Sequence, residues 1–476
     1  MSESGSESGS KRSRGMGARD VAICVLADAR AGRRTAKRSI DELLGRYTVR
    51  FEDVGLASEL VWGVVRHRLT LEAVLQFVVT AKWERLSPTM QHVLLVAAYQ
   101  LLCLDGVPAF AVIHEAVEQA KREGGRPAGG FVNAALRTLQ RRLIGRGQSA
   151  PGDDPRTCVR IGPQRTCRFD GPVLPDPTAD RILYLSVATS HPTFLVERWT
   201  RAFGPAAAES LCRIGTCRPA AVLRPNRLRT DAAALAARLA TEGCEVEVVG
   251  DEAVVLINPP AVGPILAGSS FREGLFQPQD ITAMHAVRLA DPKPGAVVLD
   301  LCAGFGTKAT QAAERMRDQG VVLASDSDSR KLKSLQRNCQ RLGLTCVRPI
   351  AVDALDAAVA AEPRLDVILI DVPCSNTGVL ARRPEARYRV SRRSLAALAT
   401  AQRSLLERAA SLARRETRLV YSTCSVEREE NEAVVDSFRQ GHREWRIVRM
   451  EKNLPQAGGR AAQWRDGGFV ALLVRV

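Results

Sequence analysis

Residues 297–308 read VVLDLCAGFGTK, and this stretch decides the fold of the C-terminal part of the chain. The apolar run Val297–Leu301 predicts a buried strand, and the glycines at 304 and 306 predict a tight turn that opens a helix. Glycines let the backbone pass close to a ligand, as in nucleotide-binding loops. On its own the stretch leaves three interpretations equally open: an S-adenosylmethionine site, an NAD site and a purely structural turn.

Strand and helix patterns alternate along the chain after this stretch. Further strands are predicted at Val321–Ser325, Val347–Ala351, Asp366–Ile370 and Leu419–Ser422. The alternation predicts a parallel sheet with helices on both faces, an α/β Rossmann-like domain over residues 271–476. Asp326 directly follows the second strand, where a carboxylate can accept hydrogen bonds from ribose hydroxyls.

Two cysteines lie in polar loops that directly follow predicted strands. Cys374 belongs to DVPCSNTG at 371–378, and Cys424 belongs to YSTCS at 421–425. Ligands of such sheets bind beyond the carboxyl ends of the strands, so both cysteines should face the same crevice as the glycine turn. A lone cysteine is more often a small buried apolar residue, but the polar setting of these two favours chemistry.

A thiol in this position suits the methylation of a cytosine ring at carbon 5, which is a poor nucleophile. A thiolate that adds to carbon 6 makes carbon 5 enamine-like and able to attack an electrophilic methyl group. An unperturbed thiol is only about 3% ionised at neutral pH, so its surroundings must assist. An acid beside the ring, such as Asp371, can hydrogen-bond the N3 and N4 edge.

The N-terminal part of the chain has a different character. Residues 1–18 are polar and predict a disordered tail, whereas residues 19–145 have helical periodicity and predict an all-α domain. Residues 146–180 are rich in Pro, Gly, Arg and Asp and predict a linker. Residues 181–270 predict a small α+β domain with short strands near positions 221, 245 and 253.

Composition narrows the class of protein. The 476 residues carry a formal net charge of +16. This charge favours a nucleic-acid partner first and an anionic membrane surface second, although arginine-rich solvated faces are the plain alternative. The twelve cysteines include no Cys-x-x-Cys pair, and the polar N-terminus has no apolar run typical of a signal peptide. We therefore expect reduced thiols in a cytoplasmic protein without a structural metal or a membrane span.

Taken together, these motifs resemble the RsmB/Sun branch of RNA cytosine-5 methyltransferases, within the wider NOL1/NOP2/Sun family. The resemblance covers about residues 20–145 and 180–476. It implies that the protein uses S-adenosylmethionine to methylate carbon 5 of a cytosine in RNA, with 16S ribosomal RNA of the small subunit as substrate. It also implies that Cys424 is the nucleophile, that Cys374 serves product release, and that Asp371 and Lys308 assist.

The resemblance further implies which residues bind the cofactor. They are Cys302, Ala303, Gly304, Phe305, Gly306, Thr307, Lys308, Asp326, Asp353 and Asp371. In the helical part, Val107–Ala109, Ile113–Lys121 and Gly130–Arg137 resemble the NusB-like RNA-binding domain of this branch. The expected architecture is therefore multi-domain: a NusB-like all-α domain, a small α+β domain and a Rossmann-like methyltransferase domain.

The sequence departs from the family pattern at a few positions. Gly304, Phe305 and Thr307 stand where the family usually has Ala, Pro and Gly, so the shape of the cofactor pocket is expected to change. Asp328 competes with Asp326 for the role of ribose ligand. Gly468 stands where the family usually has an aromatic residue.

Two other functions stay open on the sequence. An NAD-dependent oxidoreductase would explain the glycine turn but would leave the two cysteine loops without a role. A non-catalytic RNA-binding scaffold would need an altered glycine loop that no longer binds the cofactor.

Overall fold

The computed structural model describes residues 16–30, 39–40, 42–43, 51–148, 152–162, 165–257 and 265–476. These residues divide into two compact units, one ending at Cys217 and the other spanning Arg218–Val476. Most of the expected N-terminal tail, residues 1–15, lies outside the described residues. Among the described helices, none combines the length and apolar character needed to cross a membrane.

Helices form most of the first unit, as expected. They are α1 (Ala18–Arg30), α2 (Phe51–Val78), α3 (Pro88–Cys103), α4 (Ala109–Arg142), α5 (Arg181–Thr189), α6 (Thr193–Phe203) and α7 (Pro205–Thr216). Helix α3 begins after Ser87, whose hydroxyl accepts a hydrogen bond from the Met90 amide at 3.2 Å, with Pro88 in its first turn. Every residue from Met90 to Leu102 is buried, so α3 is the central helix of this unit.

The stretch expected to be a linker instead contains part of a small antiparallel sheet. Its strands β1 (Leu143–Gly147), β2 (Cys158–Gly162) and β3 (Arg165–Phe169) are ordered β1-β3-β2. Phe169 is buried and packs edge-on against Phe77, with ring centroids 6.2 Å apart. The expectation failed because these five-residue strands mix arginine and glycine with apolar residues, so no apolar run marks them in the sequence.

A four-stranded antiparallel sheet opens the second unit. Strands β4 (Ala221–Pro225), β5 (Val246–Val249), β6 (Ala253–Leu256) and β7 (Phe276–Pro278) are ordered β5-β6-β4-β7, with helices α8 (Ala232–Thr241) and α9 (Ser269–Arg272). Leu235, Leu239 and Phe276 belong to its core. The three helices at 181–216 lie in the first unit, whereas the four-stranded sheet lies in the second.

The second unit continues with a seven-stranded sheet. Its strands are β8 (Val297–Asp300), β9 (Val321–Ser325), β10 (Val347–Ile350), β11 (Val367–Asp371), β12 (Arg418–Thr423), β13 (Trp445–Asn453) and β14 (Gly468–Arg475), in the order β10-β9-β8-β11-β12-β14-β13. The first five are parallel, but β14 and β13 pair antiparallel at one edge. The sheet is therefore mixed, and the expectation of a wholly parallel sheet is corrected at this edge.

Helices cover both faces of this sheet. They are α10 (Ile281–Ala290), α11 (Thr307–Arg315), α12 (Ser329–Leu342), α13 (Leu355–Ala361), α14 (Arg392–Leu412) and α15 (Glu432–Gly441). Alternate residues of one strand enter opposite cores: Ile368 packs with α13, α14 and α15, whereas Val367 and Leu369 pack with α10, α11 and α12. The Rossmann-like fold is thereby confirmed, and it places the ends of β8, β11 and β12 side by side.

Candidate active site

The candidate site lies where the order of the strands reverses. The chain runs outward from β8 to β9 and β10 and then returns to place β11 on the other side of β8. Ligands of doubly wound sheets bind at such a reversal, beyond the carboxyl ends of the strands. The glycine loop follows β8, Cys374 follows β11 and Cys424 follows β12, so the structure brings the three motifs together.

The two cysteines form a close pair. Their Sγ atoms are 3.1 Å apart, and the Cys424 thiol donates to Asn376 Oδ1 at 3.3 Å. The hydrogen bond with Cys424 and burial raise the pKa of the Cys374 thiol well above its ordinary value. Cys374 therefore stays protonated and can donate a hydrogen bond to a thiolate on Cys424.

Lys308 and Asp371 form an ion pair beside the thiols. The Nζ atom of Lys308 lies 2.7 Å from Oδ2 of Asp371, whose other oxygen accepts from the Ser422 hydroxyl at 2.9 Å. Burial lowers the pKa of the Lys308 ammonium, but Asp371 and Asp300 raise it by more, so the pKa is raised overall. A fixed positive charge thus lies next to the cysteine loops.

Asp300 is a buried acid at the end of β8 that the sequence did not mark as a site residue. Its side chain is enclosed, and burial together with the charge of Asp371 raises its pKa to about 7. Lys308 opposes this shift. Burial and the neighbouring carboxylate therefore favour the protonated form of the Asp300 carboxyl group.

The glycine loop keeps a ligand-binding shape despite its changed residues. Gly304 and Gly306 both have positive φ angles, of 57° and 84°. A Cβ on Gly306 would lie 1.9 Å from Leu335 Cδ1, whereas no atom lies within 4 Å of one on Gly304. The Phe305 side chain is 54% exposed, and Thr307 begins α11. The bulk of Phe305 is thus directed to the surface of the loop.

The acid after β9 is joined to this loop by a hydrogen bond. The Gly304 amide donates to Asp326 Oδ2 at 3.0 Å, and Lys331 Nζ lies 3.2 Å from Asp326 Oδ1. Asp328 instead caps α12, and its hydrogen bonds with Arg330 lower its pKa to about 2. Asp328 is therefore occupied as a helix cap, and Asp326 is the acid in contact with the loop.

Asp353 and Cys302 take different positions around the same edge. Asp353 is exposed in the single helical turn Val352–Ala354 after β10, two strands from β8. Cys302 is half-buried, and burial and nearby acids raise the pKa of its thiol. Cys302 is therefore not a second nucleophile.

In the described ranges, no group of three or more His, Cys, Asp or Glu side chains is arranged to hold a metal ion.

Glu430 holds the two cysteine loops together, and sequence reasoning missed it. This buried carboxylate accepts from the Ser375 amide at 2.8 Å, the Ser425 hydroxyl at 2.6 Å and Gln402 Nε2 at 3.0 Å. Each serine directly follows one of the cysteines, so one acid fixes both loops. The repeated Cys-Ser pair was a signal, but the acidic run at 427–430 does not reveal which carboxylate is buried.

Arg224 connects the smaller sheet to the glycine loop. Its guanidinium lies 2.8 Å from Glu314 Oε1 and donates to the Thr307 carbonyl at 3.1 Å and the Thr310 hydroxyl at 3.2 Å. The side chains of Arg224 and Glu314 are only 5% and 2% exposed. Hydrogen bonds therefore join the start of α11 to β4, and a buried ion pair joins its end to the same strand.

A pocket of about 150 Å³ opens between these loops and the antiparallel edge of the sheet. It is lined by Lys308, Asp371 and Cys424 on one side and by Thr282 and Gly468, among others, on the other. A Cβ on Gly468 would lie 2.8 Å from the Thr423 carbonyl oxygen, so close packing explains the glycine at this position. The Cys424 thiol and the Lys308–Asp371 ion pair therefore line one pocket.

An internal ion network forms the wall of this pocket. Arg382 is paired with both Asp280 and Asp466, and the Trp464 indole donates to Asp466 at 2.9 Å. Backbone hydrogen bonds join Gly467 to Gly378 at 2.8 Å and Gly378 to Cys424 at 2.9 Å. The C-terminal segment is thereby fixed against both cysteine loops.

Comparison with known proteins agrees with this geometry. Residues 287–465 match the family model described as 16S rRNA methyltransferase RsmB/F, and residues 16–141 match the NusB family. Residues 191–263 match the model described as the ferredoxin-like domain of RsmF/B-like methyltransferases. That match begins between α5 and α6, so it crosses the boundary between the two units of the structure.

Curated relatives cover nearly the whole chain. The probable ribosomal RNA small subunit methyltransferase B of Bacillus subtilis is 33% identical over 442 residues, 92% of each chain. Its counterpart from Synechocystis sp. is 30% identical over 440 residues, again 92% of each.

Solved structures share the fold. The crystal structure of the protein PH0851 has a TM-score of 0.71 at 23% identity and covers 97% of this chain and 99% of its own. NSun6 from Pyrococcus horikoshii with SFG has a TM-score of 0.52 at 19% identity and covers 60% of this chain and 98% of its own. With the family models and the curated relatives, these similarities show that the chain belongs to the 16S rRNA methyltransferase RsmB/F family.

Proposed function

We propose that this protein transfers a methyl group from S-adenosylmethionine to carbon 5 of a cytosine in 16S ribosomal RNA, through a covalent bond between Cys424 and carbon 6. The observation that supports it is the thiol pair, with 3.1 Å between sulfurs, next to the Lys308–Asp371 ion pair. The names of the relatives support ribosomal RNA as the substrate. The helical domain at 19–145 is proposed to bind RNA, and the protein to act in the cytoplasm.

The residues at the end of β8 suit the cofactor. S-adenosylmethionine supplies an electrophilic sulfonium methyl group. The space beside Gly304 is open, and the Gly304 and Asp328 amides orient the Asp326 carboxylate, which would exchange its contact with Lys331 for ribose hydroxyls. Residues 302–308 would hold the methionine part, and Asp353 would lie towards the adenine. Thr307 and Phe305 leave this backbone shape intact, which supports catalysis over a cofactor-deficient scaffold.

The chain's own residues account for formation of the adduct. The Cys424 thiolate adds to carbon 6, and the displaced electron pair makes carbon 5 nucleophilic. Asp371, held by Lys308 and Ser422, would hydrogen-bond the N3 and N4 edge of the ring. A protonated Cys374 stabilises the neighbouring thiolate by its hydrogen bond.

The two cysteines also account for release of the methylated cytosine. Once carbon 5 carries the methyl group, its proton leaves to a base and the electron pair re-forms the ring double bond. The bond between carbon 6 and Cys424 breaks, and the sulfur departs as a thiolate. Cys374, protonated and 3.1 Å away, stabilises that leaving group.

The test combines two measurements. Bisulfite sequencing of RNA from cells that contain this protein should reveal one protected cytosine in 16S ribosomal RNA. In cells without the protein, the same cytosine should no longer be protected. The Cys424→Ala and Cys424→Ser proteins should not restore protection. Restoration at the wild-type rate by either variant would overturn the nucleophile assignment, and unchanged protection without the protein would overturn the activity.

Calorimetry separates the alternatives. We expect S-adenosylmethionine to bind the purified protein and NAD not to bind. The opposite result would favour an oxidoreductase, which would leave the paired thiols without a role. RNA binding without any binding of S-adenosylmethionine would favour the scaffold.

A further inference from the structure

A second pocket adjoins the candidate active-site pocket. It has a volume of about 270 Å³ and lies between the start of α10 and the segment that follows β13. Thr282, His285 and Asn453 line both pockets, so the two are neighbouring compartments of one crevice. We call the second compartment the flanking pocket, defined by these three residues with Gln456, Arg465 and Arg288.

We propose that the flanking pocket binds the nucleotide next to the target cytosine in the RNA strand and so sets the sequence context of methylation. The proposal rests on the proposed function, because it requires a cytosine in the first pocket. A strand whose base enters the first pocket continues through a single phosphate to its neighbour. The wall shared by both pockets places the flanking pocket within that reach.

Two amide side chains give the flanking pocket the means to recognise a base. Asn453 and Gln456 both line it and are exposed. Their side chains have no hydrogen-bond partner among the described residues. A carboxamide offers donors and an acceptor together, which is the pattern that reads the edge of a nucleobase. These groups are therefore available to an incoming base.

Arg465 provides a charge suited to the connecting phosphate. Its guanidinium donates to the carbonyl oxygens of Ala462 at 2.6 Å and Trp464 at 2.7 Å. No carboxylate of the described chain lies within ion-pair distance of it. By contrast, Arg288 is paired with Glu252 at 2.5 Å, and His285 with Glu451 at 2.8 Å. Arg465 is thus the arginine of this pocket whose charge is left for a phosphate.

The backbone keeps these groups in place. Gln456 and Arg465 form an antiparallel bridge with two hydrogen bonds of 2.9 Å. Residues paired in this way project their side chains to the same side. The base-reading amide and the phosphate-binding guanidinium are therefore presented together, before any RNA binds.

The location excludes the cofactor as occupant. The flanking pocket is formed by α10 and the chain after β13, at the β13 edge of the sheet. The glycine loop and Asp326 follow β8 and β9, on the other side of β11. A ligand that extends from the thiols towards the flanking pocket therefore leads away from the cofactor site.

The test uses the full-length protein and synthetic RNAs around the cytosine located by bisulfite sequencing. One RNA has an abasic ribose on the 5′ side of the target and another has it on the 3′ side. With wild-type protein, one of these should lower kcat/KM about tenfold, as expected for lost hydrogen bonds to a base. The Gln456→Ala variant should lose part of this factor on intact RNA, and removal of the base should cost it less than it costs wild-type protein, because only Asn453 remains to read the base.

Two further variants sharpen the test. Arg465→Gln should weaken binding of all three RNAs about equally and reduce the salt dependence by roughly one phosphate contact. Gln336→Ala, an exposed glutamine on α12 near the opposite edge of the sheet, is the matched control and should behave as wild type.

The outcomes are distinguishable. If wild-type protein and Gln456→Ala lose the same factor on each abasic RNA, the flanking pocket does not read a neighbouring nucleotide. If the wild-type protein has the same kcat/KM on both abasic RNAs as on the intact RNA, the proposal is also overturned. If wild-type protein methylates no cytosine at all, the proposed function fails, and this inference fails with it.

Discussion

The Sγ atoms of Cys374 and Cys424 lie 3.1 Å apart although the two residues are 50 positions apart in the chain. The contact follows from strand register. Asp371 and Ser422 are partners at the ends of the parallel strands β11 and β12, and each cysteine follows within three residues. Because sheet pairing fixes the separation, the two thiols act as one unit.

The clearest consequence concerns Cys374. In the Cys374→Ala protein the nucleophile remains but the group that stabilises its departure is gone. We expect a protein–RNA adduct that survives denaturing electrophoresis. The Cys374→Ala/Cys424→Ala protein should show no adduct, and absence of adduct from both would contradict the release role.

Glu430 should control activity without touching the cofactor. In Glu430→Gln an amide replaces an acceptor of four donors from the two cysteine loops and α14, so the thiols lose their alignment. We expect kcat to fall at least tenfold while the Kd for S-adenosylmethionine changes less than about twofold. Glu118→Gln, at an exposed ion pair with Lys121, is the control and should leave both unchanged. An equal loss of kcat and cofactor affinity would indicate general misfolding instead.

Breaking the buried ion pair should destabilise the second unit. Arg224→Met leaves the Glu314 carboxylate buried without its partner, which costs about 3–5 kcal/mol. Urea unfolding should show this loss, and Arg224→Met/Glu314→Met should recover part of it. Arg348→Met, at a pair where the arginine is 57% exposed, should cost less than about 1 kcal/mol. Equal costs for the two arginines would show that burial does not matter here.

Asp300 should make stability depend on pH. Its pKa is raised from 3.8 to about 7 in the folded protein. The folded state therefore binds more protons than the unfolded state between these values, and the free energy of unfolding falls as pH rises through this range. The Asp300→Asn protein has no carboxyl group at this position, so its free energy of unfolding does not fall for this reason as pH rises. Its stability relative to wild type should grow between pH 5 and pH 8, with a total effect of at most about 4 kcal/mol.

Urea midpoints at the two pH values measure this difference. Asp251→Asn changes a carboxylate that is 85% exposed and should show a difference from wild type that is independent of pH. The same constancy in Asp300→Asn would contradict the assignment of a raised pKa.

The parts predicted from sequence are those with local signals. The strand at 321–325 matches its prediction because a continuous apolar run fills a strand buried on both faces. Strand β13 was missed because it lies at the sheet edge, where Arg446, Val448 and Arg449 are exposed and a bulge breaks the pairing. Without an apolar run or regular alternation, such a strand has no distinctive pattern.

The residues of the candidate site likewise fall into those with a local sequence signal and those without one. The cysteines and the glycine loop were visible because each directly follows a predicted strand. Glu430 and Arg224 were not, because their partners lie 55 and 90 residues away and only the folded chain brings them together. The role of Asp328 was also corrected by the fold, since a helix cap depends on where α12 begins.

The ion pair between Arg224 and Glu314 also determines where this chain can be joined to that of a relative in a chimera. A chimera joined near residue 270 would take β4 from one parent and α11 from the other, and any mismatch would leave a charge buried alone. A junction near residue 217 keeps both partners from the same parent. The transferable module is therefore the whole of Arg218–Val476, smaller sheet included.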